Sequence, residues 1–168
     1  MESFASSADT QSMTRTKCLP LVLALALFAG RTAELVAGDH ATAVDARIML
    51  QKAVAYYKLV GRKRALADFT AQRPPFRDRD LYVVCFDSEG IIVANGGFSQ
   101  NVDTRVDTLL DTNGKGVGTA AREALDASGE ATIHYRWLNP TTHRLESKST
   151  LFARAGSDVC GVGTYDPR

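Results

Sequence analysis

The last third of the chain constrains the fold most. Three runs alternate apolar and polar residues at strand spacing: Ala131 to Leu138, Glu146 to Arg154 and Val159 to Tyr165. Asn139-Pro140-Thr141-Thr142 joins the first two, and Gly156-Ser157-Asp158 joins the others. Both connections are turn chemistry, too short to hold a crossover helix, so the runs read as antiparallel neighbours.

Two more strands precede them. Leu81 to Phe86 is β-branched and aromatic, Asp87-Ser88-Glu89-Gly90 supplies a turn, and Ile91 to Ala94 returns. Upstream the period changes. Ala46, Met49, Leu50, Ala53, Tyr57 and Val60 recur at spacings of three and four, which predicts a helix over Ala41 to Val60, stopped at Gly61. A shorter helix follows over Lys63 to Thr70, closed off before Pro74-Pro75. The stretch from Phe98 to about Gly118 is rich in Asp, Thr, Asn and Gly. It is longer than a connection needs to be, which suits a binding lid or irregular subdomain. A short helix is expected over Thr119 to Ala127. Five mostly antiparallel strands with a helix on one face make an α+β fold.

The 168 residues suffice for one domain, and a net charge of +1 gives no basic surface for nucleic acid. Arg15 and Lys17 precede an apolar run from Leu19 to Ala29, shorter than the roughly 20 residues of a membrane-spanning helix. This is the pattern of a secretory signal peptide over residues 1–38, with Met13 as an alternative start. The domain then occupies 39–168, and its place is periplasmic or secreted. Cleavage is expected after Gly38, with Ala41-Thr42-Ala43 as a second site; an uncleaved anchor is the competing reading.

Cys85 and Cys160 remain in the exported chain, open to either one disulfide or two buried thiols. His40, His134 and His143 have no metal spacing, so no metal or cofactor is expected. Asp111-Thr112-Asn113-Gly114-Lys115 reads as an Asn-Gly turn rather than a calcium loop. No nucleophile elbow is present. Cys85 with His134 could serve a small hydrolase, but a mid-strand thiol is normally inert.

Four stretches together resemble a single Cache domain of type 2, an extracytoplasmic sensory module with a PAS-like sheet. They are KAVAYYKLVGRKRALADF, PPFRDRDLYVVCFDSEGIIVANGG, LLDTNGKG and IHYRWLNPTTHRLESKSTLFARAGSDVCGVGTYD. The resemblance implies a five-stranded antiparallel sheet with the long N-terminal helix packed on it. It also implies a non-catalytic, ligand-binding role in signal transduction of the chemotaxis kind, with small organic acids among the ligands. The partners implied are a small molecule and a membrane sensor or second copy meeting the N-terminal helix. Two places depart from the family pattern: Ala94-Asn95-Gly96 stands where many relatives have Ala-His-Pro, and Ser99-Gln100-Asn101 where many have Gly-Lys-Asn.

Strand alternation puts Ile133, Tyr135 and Trp137 on one face, and Lys148 on the partner strand. A small carboxylate needs a cation, hydroxyl donors and apolar walls. Lys148 can supply the charge, Tyr135 the hydroxyl and Trp137 the wall, with Tyr82 and Tyr165 as further donors and Arg105 or Asp107 reaching in from the crossing. Aromatics on a half-buried strand also serve core packing, and Lys148 would equally guard a strand edge. The resemblance favours the pocket. A partner-binding protein without a ligand is the alternative.

Overall fold

The computed structural model describes residues 40–114 and 116–166, apart from the side chains of 126–128. The expected signal peptide, residues 1–38, and its cleavage after Gly38 lie outside the described residues, while the second site, Ala41-Thr42-Ala43, lies at the start of the first helix.

Helix α1 spans Ala43–Val60. It begins after Ala41 because Thr42 caps it. The Thr42 hydroxyl accepts from the Asp45 amide, and the Asp45 carboxylate accepts from the Thr42 amide at 2.9 Å, closing a capping box. Its inner stripe of Ala46, Met49, Leu50, Ala53 and Tyr57 is buried. Gly61, at φ +82°, ends the helix, and α2 (Arg62–Thr70) starts at once. Buried Asp158 pins this elbow, accepting from the Tyr57 hydroxyl and the Arg62 Nε, each at 2.9 Å.

Strand β1 (Arg77–Asp78) follows the Pro74–Pro75 pair, then β2 (Leu81–Phe86) and β3 (Ile92–Asn95). Asp87 builds the β2–β3 turn, its carboxylate accepting from the Glu89 and Ile91 amides. The crossing makes two 3-10 turns, Ser99–Asn101 and Val106–Thr108, before helix α3 (Val117–Ser128). Strands β4 (Glu130–Leu138), β5 (Leu145–Ala155) and β6 (Asp158–Asp166) form the meander. The sheet order is β1-β2-β6-β5-β4, antiparallel throughout, with β3 paired to β2. The sheet has six strands where five are expected. The addition is β1, whose two residues are too few to carry an alternating pattern.

Both faces of the sheet are covered, which a single packed helix would not achieve. One face (Leu81, Val83, Cys85, Cys160, Val162) packs on α1 and α2. The other (Phe86, Ala131, Ile133, Phe152, Val159) packs on Val106 of the crossing and on Ala121 and Leu125 of α3. Cys85 and Cys160 lie directly opposite on β2 and β6 and are joined by a disulfide.

Candidate functional site

The face toward the crossing is set by register. Tyr135, Lys148 and Tyr165 form one row across β4, β5 and β6, while Ile133, Thr150 and Gly163 form the next, and Ala131, Phe152 and Gly161 the third. Directly opposed residues in an antiparallel sheet point the same way, so these rows share a face with Tyr82, Val84 and Phe86 of β2.

Gly161 and Gly163 make that face usable. A Cβ on Gly161 would stand 2.5 Å from the Phe152 ring, and one on Gly163 would meet the Thr150 hydroxyl and lie 2.6 Å from Lys148 Cε. The Gly-Val-Gly of β6 is therefore a trough. Side chains of β5 lie across it toward β2.

Lys148 uses that trough. It is 3% exposed, and its amine donates to the Tyr82 hydroxyl at 2.7 Å and the Tyr165 hydroxyl at 3.0 Å. It also lies 4.0 and 4.3 Å from the centroids of the two rings. Burial holds the amine well below the usual lysine range, against an opposing pull from Asp80. Burial pushes the Tyr82 and Tyr165 hydroxyls up, and takes the Tyr135 hydroxyl up to about 12. Burial thus favours the uncharged form of every member of the cluster. The Tyr165 hydroxyl donates to the Leu138 carbonyl at 2.9 Å.

In front of this cluster is a hollow of about 40 Å³ between the sheet and the crossing. Tyr82, Val84, Phe86 and Phe152 form its floor, Tyr135 and Trp137 one wall, and Val106, Leu109, Val117 and Gly118 the roof, with Asn95 at the end of β3. At roughly 10–15 Å³ for each water-sized group, it holds about three such groups. Edge-to-face ring contacts run Tyr82–Phe98–Trp137–Tyr135, at centroid distances of 5.9, 6.3 and 5.9 Å. Gly97 lets the crossing close on this rim, since a Cβ there would stand 2.5 Å from the Tyr82 ring.

The polar complement is small. The Tyr135 hydroxyl shares a hydrogen bond with Thr150 Oγ1 at 2.9 Å. The Asn95 side-chain oxygen accepts from the Gly97 and Phe98 amides, so its amide nitrogen is the group left for the hollow.

Of the residues expected at a pocket, Tyr82, Tyr135 and Trp137 line the hollow. Lys148 and Tyr165 sit behind Tyr82, one hydrogen bond away. Arg105 and Asp107 do not line it. Two residues apart beside a tight turn, they pair with each other at 2.6 Å on the exposed side. Asn95, Val84, Phe86 and Phe152 were not anticipated, though Val84 and Phe86 share the parity of Tyr82 and Asn95 stands where the family pattern changes.

Cys85, tied into its disulfide, supplies no thiolate, and His134 bonds Ser149 at 2.7 Å instead. Among the described residues no three His, Cys, Asp or Glu side chains converge on one metal position, and no helix is long and apolar enough to cross a membrane.

A two-sided antiparallel sheet with a small aromatic hollow under an irregular crossing makes a PAS-like α+β fold. The chain belongs to the single Cache domain 2 family, whose profile matches residues 57–155. Similar solved structures include a methyl-accepting chemotaxis protein from Vibrio parahaemolyticus RIMD 2210633, at 20% identity over 73% of this chain and 86% of that one, with a TM-score of 0.61. A Cache chemosensory domain solved for its recognition of carboxylic acids aligns at 14% identity, over 73% and 91% of the two chains, with a TM-score of 0.62. The periplasmic sensor domain of a chemotaxis protein aligns at 20% identity over 71% and 86%, with a TM-score of 0.56. At these identities the likeness is one of fold. No curated protein matches the chain.

Proposed function

We propose that this chain is an exported, non-catalytic sensory domain that captures a small molecule in the hollow between the sheet and the crossing. Membership of a sensory family supports the role, and one observation carries the placement. The face of β2, β4 and β5 opposite α1 keeps an aromatic-walled hollow, with Asn95 and two tyrosine hydroxyls beside it. The proposed ligand is a small organic acid or similar metabolite. A carboxylate would meet the Tyr82 and Tyr135 hydroxyls first, with the Lys148 amine one hydrogen bond behind Tyr82. Anything larger than a few heavy atoms requires the segment from Gly97 to Gly118 to lift. The exposed side of α1, with Val44 and Ile48, is the surface proposed for a membrane sensor partner.

Thermal unfolding against a panel of short organic acids, amino acids and amines tests the reading. Ligand at a hundred times its dissociation constant adds about 2.7 kcal/mol. Trp137→Leu should abolish the gain. A panel in which every compound leaves the melting temperature unmoved removes the proposal.

A further inference from the structure

The two edges of the sheet are treated differently. At the β3 edge the strand is only Ile92–Asn95, its register with β2 is broken between Cys85 and Phe86, and the crossing covers it. The Ile92 amide donates to the Thr104 carbonyl, and the Asp103 amide to the Ile92 carbonyl, at 2.9 and 2.8 Å. At the opposite edge β4 runs from Glu130 to Leu138 in unbroken register with β5. It contains no proline and no bulge, and its middle is Thr132, Ile133, Tyr135 and Trp137, residues that favour strands. Among the described residues, the backbone of 131–137 hydrogen-bonds to β5 and to no other segment. A regular edge this long is a template for another strand.

The charges along β4 identify the strand that fits. Glu130, Thr132, His134 and Arg136 are all exposed on the α1 side. Two β4 strands laid antiparallel about a two-fold axis at Ile133 bring Glu130 opposite Arg136 of the second copy, Thr132 opposite His134, and Ile133 opposite itself. The Glu130–Arg136 ion pair forms twice by symmetry. Moving the centre to His134 puts Arg136 opposite Thr132 and loses both pairs. Glu130 now rests on Arg47 at 3.2 Å and Arg136 on the Leu145 carbonyl at 3.1 Å, both at the surface.

We propose that two copies of this chain associate through β4, antiparallel and centred on Ile133, into one continuous sheet. This goes beyond the ligand reading and does not depend on it. The same register sets Tyr135, which lines the hollow, beside Ala131 of the second copy, so the interface borders the site.

Sedimentation equilibrium of the full chain tests it. The wild type is expected to dimerise reversibly. Glu130→Arg and Arg136→Glu should each weaken the dimer by about tenfold, since each turns two opposite-charge contacts into like-charge ones. The two changes together restore both pairs with signs reversed, and should bring the dissociation constant back to near the wild-type value. A wild type that stays monomeric overturns the proposal. So does a dimer that Ile48→Asp on α1 disrupts while neither charge reversal weakens it, and so does a double variant no better than the single ones.

Discussion

The amine of Lys148 lies 2.7 Å from the hydroxyl of Tyr82, and the two belong to strands separated by β6. They meet only because Gly163 leaves the intervening strand bare at that row. A lysine buried among tyrosines is stabilised by their hydroxyls and ring faces. It also bears the cost of leaving water, which falls on its charged form.

That cost has a pH signature. The folded amine binds its proton less readily than the unfolded one. Between the two titrations the unfolded chain therefore carries more protons, and stability rises with pH. The contribution grows from the lowered titration of the folded amine up to the ordinary lysine range near 10.4. Urea unfolding of the wild type at pH 7 and pH 9.5 should show a gain that Lys148→Met lacks. At pH 7 Lys148→Met should itself be more stable by about 1–3 kcal/mol, because no buried amine is left to desolvate. Equal pH dependence in the two proteins would place the Lys148 amine in water.

Gly163→Ala tests the trough. Its φ is not in the left-handed region, so the new methyl group is accommodated by the backbone and opposed by Thr150 and Lys148. Overpacking of this kind costs about 1–3 kcal/mol. The same change made in a Lys148→Ala, Thr150→Ala background should cost less, as read by denaturant midpoints.

The disulfide closes a loop with a sequence separation of 75. Reduction should lower stability by about 2–4 kcal/mol, chiefly by freeing the unfolded chain. Calorimetry with and without reductant measures this, and Cys85→Ala with Cys160→Ala should be indifferent to reductant.

Much of the fold was legible from local pattern. The stripe on α1, the continuous apolar run of β2 and the alternation of β4 each announce an element by its own period. What escaped has one local cause and several nonlocal ones. Ala41 lies outside the helix because a hydroxyl and a carboxylate three residues apart close its end. Nothing local marks β1, which exists only through its pairing with Tyr82 and Leu81. At the site, alternation correctly grouped Tyr135 with Trp137, since parity is a property of one strand. Whether Lys148 faces the hollow or stands behind Tyr82 depends on Gly163 of the neighbouring strand β6. Arg105 and Asp107 carry attractive chemistry for a pocket, yet pair with each other through Asp107 Oδ2.

Trp137 is the chain's single tryptophan and stands in the wall of the hollow, so its fluorescence reports on the site directly. A compound that raises the melting temperature should shift Trp137 emission saturably, at a concentration matching its stabilising effect, and Tyr135→Phe should weaken both together. A compound that stabilises the protein at saturation while leaving Trp137 emission unchanged would contradict capture beneath the crossing.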